Sequence, residues 1–241
     1  MQKRAAILCV ALSMAAAGGF ALGSRESAIS GSGTVRTESR TVPAFTAIVI
    51  EGFGNVTLSQ GGAQSLSVET DDNLLPLVKT EVRAGVLSLG FKQGVKPVHV
   101  SQLEFLVSVP ELAAVKISGS GNLHATTLVR SEALTLEISG SGGIYSELDV
   151  GRLGVTIGGS GGITVEGKTD QLSVTITGSG SMQGRDLASG TAEVTVSGSG
   201  EAVINARRAI SINVTGSGRV AYGGGAKATI TSSGSGVVQR F

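Results

Sequence analysis

Apolar and polar residues alternate with a period of two along most of the chain. In residues 134–144, LTLEISGSGGI, the apolar residues and the two glycines of the Gly-Ser-Gly triplet all occupy even positions. The same phase recurs in residues 155–165, 172–182 and 210–220. Because the side chains of an extended strand point alternately to opposite faces, this pattern predicts strands that continue through each triplet, with the glycines facing inward and the serine facing outward.

The Gly-Ser-Gly triplet repeats at nearly constant spacing. It begins at Gly119, Gly140, Gly159, Gly178, Gly198, Gly216 and Gly234, at intervals of 18 to 21 residues. One structural unit per interval is typical of a solenoid. The repeat predicts an all-β fold, a right-handed parallel β-helix (β-solenoid) with a less regular N-terminal β portion. We expect the glycines at bends, where a Cβ atom would collide with the opposite wall of the coil or forbid the backbone angle.

Other glycine-rich sites do not fit these triplets. A calcium-binding β-roll needs an aspartate two places after its glycine signature, which GSGGI, GSGSM and GSGEA lack. Phosphate and dinucleotide loops need a following helix, whereas each triplet here is followed by more strand. We therefore interpret the glycines as part of the scaffold.

The residues before the repeat divide into three parts. Residues 1–23 combine Lys3 and Arg4 with an uncharged run and small residues near position 23, a pattern that predicts a cleaved secretory signal peptide. Residues 24–41 are predicted to form an N-terminal linker. Residues 42–110 alternate less regularly, and we expect them to form an N-terminal β portion that caps the repeat β-helix of residues 111–241.

Cysteine content and charge narrow the classes of function. The single cysteine, Cys9, lies inside the predicted signal peptide, so the mature chain would have no disulfide and no thiolate metal site. Removal of Lys3 and Arg4 changes 19 basic and 18 acidic residues to 17 and 18. This balance does not support nucleic-acid binding. The signal peptide predicts export to the periplasm, the cell surface or the medium, with no transmembrane segment after cleavage.

Several segments resemble one known family. The stretches PAFTAIVIEGFGNVTLSQG and LSVETDDNLLPLVKTEVRAGVLSL, and the serial units ISGSGNL and ITGSGSM, are similar to the putative auto-transporter adhesin, head GIN domain family. The resemblance covers residues 42–238. It implies an all-β solenoid exported from a bacterial cell, and it implies no catalytic residues.

The sequence also contains residues that could carry chemistry. Glycoside hydrolysis needs two carboxylates that converge on one sugar. The candidates are Asp149, Asp170, Asp186 and Glu201, and the three aspartates fall at comparable places in successive coils. Each lies in a polar turn, where a solvated charge is the ordinary role of aspartate. His99 and His124 are isolated in the sequence, so we predict no metal site and no cofactor.

One set of outward positions is rich in hydroxyl groups. Stacking of coils in register would align these positions into columns on a flat, nearly uncharged face. The predicted binding residues are Thr156, Thr175, Thr177, Thr195, Ser141, Ser160, Ser179, Ser199 and Ser217. We hypothesise that this face binds a repetitive hydroxylated surface such as a glycan, or ordered water. The alternative is that serine and threonine serve here only as soluble, strand-compatible residues.

These observations predict an exported, non-enzymatic protein of the cell envelope or surface that acts as an adhesin through its flat faces. A cell-surface glycan or an envelope protein is the expected partner. Two alternatives are a carbohydrate-active β-helix enzyme and an envelope-stress accessory protein that binds a protein partner. Self-association through the solenoid ends is a further expectation, because an exposed end strand can pair with another chain.

Overall fold

The computed structural model describes residues 28–241, and the predicted signal peptide, residues 1–23, lies outside the described residues. In chain order the strands are β1 (Ala28–Ser30), β2 (Val35–Ser39), β3 (Ala47–Gly52), β4 (Asn55–Gln60), β5 (Ser65–Asp71), β6 (Val78–Arg83), β7 (Val86–Phe91), β8 (Lys96–Val98), β9 (Leu103–Val109), β10 (Ala114–Gly119), β11 (Asn122–Ala125), β12 (Val129–Ile138), β13 (Gly143–Ile157), β14 (Gly162–Gly178), β15 (Ser181–Gly198), β16 (Glu201–Gly216), β17 (Arg219–Gly223), β18 (Lys227–Gly234) and β19 (Val237–Arg240). A 3-10 turn spans Leu75–Leu77.

The strands form a parallel β-solenoid of about seven turns, which confirms the predicted fold class. Its core consists of apolar columns that run through the stack. One column joins Ile138, Ile157, Ile176, Val196 and Val214 by parallel pairing in register. All five side chains are completely buried. Burial of the inward side chains, at about 25 cal/mol per Å² of apolar surface, is the main stabilising contribution to such a fold.

Each coil passes through two stacked sheets that meet at a glycine corner. The first, here called the front sheet, stacks β7, β3, β10 and β12, then the C-terminal halves of β13 to β16, and finally β18. The second, the back sheet, stacks β9, β4 and β11, then the N-terminal halves of β13 to β16, and finally β17 and β19. The triplets mark the passage from the front sheet to the back sheet.

The N-terminal end of the solenoid is covered by antiparallel strands. Strand β5 pairs antiparallel with both β2 and β9, and β6 pairs antiparallel with β7. The predicted linker, residues 24–41, contains β1 and β2, because both find partners in the cap. Within residues 42–110, β3 and β4 pair in register with β10 and β11, so they form the first regular coil.

The glycines of the triplets are required by the stacking of coils. The second glycine of a triplet faces the core, and at Gly200 a Cβ atom would lie 2.5 Å from the Cγ2 atom of Ile176. The first glycine is less buried, and at Gly198 a Cβ atom would lie 2.7 Å from the carbonyl oxygen of Gly178. The sequence predicted a collision with the opposite wall of the coil. In the structure the added Cβ atom would instead collide with the neighbouring coil. The φ angle of Gly198, 117°, also favours glycine.

The C-terminal end is more exposed. Among the described residues, β18 pairs only with β16, and β19 pairs only with β17. Ile230 occupies an inward position of the last coil but is 45% exposed. Self-association through this end stays a prediction. No helix of residues 28–241 has the length and apolar character needed to cross a membrane.

Candidate functional site

The outward side chains of the front sheet stand in columns. Parallel pairing aligns Thr156, Thr175, Thr195 and Asn213 in successive coils. A second column aligns Thr177 with the serine and threonine at the same place in the next two coils. The corner serines form a third column, because the backbone N–H of each donates a hydrogen bond to the carbonyl oxygen of the first glycine in the preceding triplet. We call the following set the hydroxyl face: Thr156, Thr175, Thr177, Thr195, Ser141, Ser160, Ser179, Ser199 and Ser217. The structure brings all nine together, and their binding role stays a prediction.

The strand alternation holds these hydroxyl groups on one side. Val174, Ile176 and Val194 alternate with the threonines and are at most 1% exposed. A slip of one residue would expose this apolar column, so the buried face fixes the register of the outward face. The hydroxyl face is therefore a preorganised surface on a packed core.

The hydroxyl groups of this face do not bond to each other. None of the nine side chains donates or accepts a hydrogen bond with another side chain or backbone group within residues 28–241, and each is exposed or half-buried. A cross-strand hydroxyl contact lies nearby, where the Oγ atoms of Ser139 and Ser118 are 3.4 Å apart. The nine hydroxyl groups therefore do not form a ladder of hydrogen bonds from coil to coil. The groups remain available to a ligand or to solvent.

Charge near the hydroxyl face is sparse. At its N-terminal side the Lys116 ammonium group lies 2.6 Å from the Glu137 carboxylate, so these two charges offset one another. Glu193 is a further charge on the sheet, and it lines a hollow of about 400 Å³ together with Gly154 and Ser173. A Cβ atom at Gly154 would meet nothing closer than 3.8 Å, so this glycine leaves the hollow open.

The candidate carboxylates do not occupy equivalent places. Asp149 pairs in register with Lys168, and the two side chains form an ion pair of 3.2 Å. Asp149 and Asp170 both line a cleft of about 440 Å³, which Arg207 also borders. Asp186 lies where the register between β15 and β16 shifts. The expectation of comparable aspartates in successive coils is wrong because insertions in the later coils displace the third one.

The two histidines are far apart in the fold. His99 follows β8 and has a φ of 50°. His124 lies on the back sheet, where it lines a hollow of about 380 Å³ with Tyr145 and Glu166. In the part of the chain that the structure describes, no three or more side chains of histidine, cysteine, aspartate or glutamate are grouped to hold a metal ion.

Sequence reasoning missed a buried carboxylate in the N-terminal cap. Asp71, at the end of β5, is completely buried. Its Oδ1 accepts a hydrogen bond from the Gly33 backbone N–H (2.7 Å), and its Oδ2 accepts one from the Ser101 backbone N–H (2.8 Å). The Ser101 hydroxyl group donates a third (2.8 Å). The backbone hydrogen bond from Ser101, aided by the others, lowers the pKa of Asp71 although burial opposes it. Asp71 thereby joins three separate segments of the cap.

Sequence reasoning also missed an aromatic pair at the N-terminal end. The rings of Phe53 and Phe91 lie 5.6 Å apart, tilted by 39°. Phe53 is 39% exposed, and both rings border a hollow that also contains Glu51. The sequence carried a signal for this site, since GFGN at residues 52–55 matches GSGN at residues 119–122 except at the phenylalanine.

Comparison with known proteins gives a consistent family match. The family model described as putative auto-transporter adhesin, head GIN domain matches residues 44–226. No protein among the curated ones matches the chain.

Solved structures share the fold. A protein of Bacteroides fragilis NCTC 9343, described as a putative adhesin, superposes with a TM-score of 0.83 at 22% identity, covering 88% of this chain and 100% of its own. A putative adhesin of Parabacteroides distasonis ATCC 8503 gives 0.72 at 26% identity, with coverages of 89% and 100%. Another protein of that organism, described as a putative lipid binding protein, gives 0.77 at 23% identity, with the same coverages.

Proposed function

Because the chain belongs to the putative auto-transporter adhesin, head GIN domain family, we propose that it is an exported, non-enzymatic surface protein that adheres through the hydroxyl face. The ligand is a repetitive hydroxylated surface, of which a cell-surface glycan is the chemical type. The observation that carries this proposal is the regular array of unpaired hydroxyl groups on the front sheet. The predicted signal peptide supports export.

The spacing of the array suits an extended ligand. Adjacent strands of a sheet lie about 4.8 Å apart, so each column presents one hydroxyl group at that interval along the stack. Thr156, Thr175 and Thr195 are three successive members of one column. A polymer with repeated hydroxyl groups can exchange hydrogen bonds with several coils at once. Many weak contacts along one chain add to useful avidity although each contributes little.

Two other functions receive less support. A glycosidase site needs converging carboxylates, and here Asp149 is engaged by Lys168 while Asp186 lies elsewhere. The structural neighbour described as a putative lipid binding protein raises lipid as a ligand. The hydroxyl face presents hydroxyl groups, so it suits a hydroxylated polymer better than acyl chains.

The test is a binding assay with purified bacterial cell-wall material and a broad glycan array. The face variant replaces Thr175, Thr177 and Thr195 by lysine. The matched control replaces Tyr145, Thr164 and Gln183, one column of outward positions on the back sheet, by lysine. Both variants add the same charge. We expect binding by the wild type and the control and its loss in the face variant. Equal binding by both variants, or no binding by the wild type, would contradict the proposal.

A further inference from the structure

The first coil of the solenoid departs from the others at its corner. Gly52 pairs in register with Gly119, and Asn55 pairs with Asn122, so Phe53 stands where Ser120 stands in the next coil. The same outward position is serine in every later triplet. The corner therefore does not need an aromatic ring to fold. A phenylalanine at this position calls for another explanation.

Phe53 is exposed in a chain that has few aromatic residues. The protein contains six phenylalanines, two tyrosines and no tryptophan. Phe45 and Phe105 are buried in the core, at 3% and 0% exposure. Phe53 instead is 39% exposed and contacts Phe91, which lies only partly against the core. The chain thus places two of its few aromatic rings together at one surface site.

The aromatic pair adjoins a wide cleft at the N-terminal end of the solenoid. A cleft of about 770 Å³ lies along β6 and β7, and it shares Glu51, Phe91, Lys92 and Gln93 with the hollow beside Phe53. We call the two together the cap cleft. Its volume is in the range of small-ligand sites.

Polar groups line the rest of the cap cleft. The Lys79 ammonium group lies 3.0 Å from both carboxylate oxygens of Glu51, which holds the two side chains in place. Ser88 and Gln93 add a hydroxyl group and an amide. Arg40 also borders the cleft, and its Nε is buried without a hydrogen-bond partner within residues 28–241. Donors and acceptors therefore surround the aromatic pair.

We propose that the cap cleft binds a short oligosaccharide, with the Phe53 ring stacked on the apolar face of one sugar. A pyranose has an apolar face of C–H groups and a rim of hydroxyl groups, and the cleft offers a ring for the first and Glu51, Lys79 and Gln93 for the second. An acyl chain would remove water from these charged and amide groups and offer them no hydrogen bond in return. The proposal deepens the proposed function and rests on it for the ligand class, while it names a second site at the end of the solenoid.

The test uses soluble di- and trisaccharides, which are too short to span several coils of the hydroxyl face. Neutral hexoses, N-acetylhexosamines and hexuronates serve as probes, and binding to the purified protein is measured by saturation-transfer NMR and calorimetry. The main variant is Phe53→Ser, which gives the first corner the residue that the other corners use. Phe53→Leu keeps apolar bulk but removes the ring. Tyr145→Ser removes an exposed aromatic ring on the back sheet and is the matched control.

We expect at least one probe to bind, with a loss of affinity of at least about tenfold in both Phe53 variants and no change in Tyr145→Ser; tenfold corresponds to about 1.4 kcal/mol. Equal binding by Phe53→Ser and the wild type would overturn the proposal, as would no binding of any probe. Binding of phospholipid vesicles that depends on Phe53 would show that the cleft takes lipid instead.

The two proposals can fail separately. In one outcome the face variant loses cell-wall binding, and short saccharides bind equally well with and without Phe53. This outcome would support the proposed function and contradict the cap-cleft proposal. In the other outcome short-saccharide binding depends on Phe53, and cell-wall binding is unchanged in the face variant. This outcome would support the cap-cleft proposal and contradict adhesion through the hydroxyl face.

Discussion

Gly198 lies directly above Gly178 in the solenoid, so closely that a Cβ atom on Gly198 would lie 2.7 Å from the Gly178 carbonyl oxygen. Real Cβ atoms do not approach backbone oxygen this closely, so the two coils can stack at this corner only if the residue is glycine. The same relationship recurs at Gly216 over Gly198, at 2.9 Å. The repeated glycines thus keep successive corners in contact.

Replacement of Gly198 by alanine should therefore destabilise the protein strongly. The added methyl group meets backbone that cannot move aside, and a φ of 117° is itself unfavourable for alanine. We expect a loss of at least about 2 kcal/mol in the free energy of unfolding, measured by urea denaturation. Gly154→Ala is the matched control, since its Cβ atom would have free space. Similar losses in both variants would contradict the stacking argument.

Inward side chains should contribute unequally to the free energy of unfolding along the stack. Ile176 is completely buried between coils, so Ile176→Ala should lower the free energy of unfolding by about 2–5 kcal/mol. Ile230 holds an inward position of the last coil but is 45% exposed, so Ile230→Ala should cost much less. Urea denaturation of both variants measures the difference. A larger loss at Ile230 would mean that the last coil is covered in solution.

Asp71 should make the N-terminal cap sensitive to acid. Its folded-state pKa is lowered below the ordinary value of 3.8, so its contribution is fully present above that pH. The contribution decreases as the pH falls below about 4 and is lost as the carboxylate is protonated in the folded state. The urea midpoint of the wild type should therefore exceed that of Asp71→Asn at pH 7, and the gap should narrow on acidification towards pH 3.

An exposed carboxylate provides the control for this measurement. Asp170→Asn changes the same charge at an exposed position and should leave the midpoint nearly unchanged at both pH values. If the gap between the wild type and Asp71→Asn stayed constant from pH 7 to pH 3, the hydrogen bonds to the carboxylate would not be the source of its effect.

The regular part of the fold was predictable from the chain because it repeats. A period-two pattern with glycines in constant phase determines which side chains face inward. Thr156, Thr175 and Thr195 pair in register because each lies three residues before the first glycine of its triplet. Where coil length varies, the prediction failed. Residues 185–187 of β15 have no partner in β16, so the register shifts at Asp186, and no alternation pattern reveals such a bulge.

The cap was less predictable because its contacts connect residues distant in sequence. Asp71 bonds to Gly33 and Ser101, 38 and 30 residues away, and nothing in the local sequence marks it as buried. Strands β1 and β2 are short and flanked by glycine and serine, so they look like a linker until their partners are known. Phe53 is different, because alignment of the first coil with its neighbours would have identified it as the exception.

The most direct test of the hydroxyl face uses two fluorescent probes. In a Cys9→Ser background, which removes the only cysteine, Thr175→Cys carries an environment-sensitive fluorophore on the front sheet and Gln183→Cys carries it on the back sheet. Each labelled protein is titrated with the cell-wall material that binds the wild type. If the hydroxyl face is the binding surface, the emission at position 175 should shift and saturate while the emission at position 183 stays unchanged. A shift at position 183 alone, or bound protein with no shift at position 175, would contradict binding through this face.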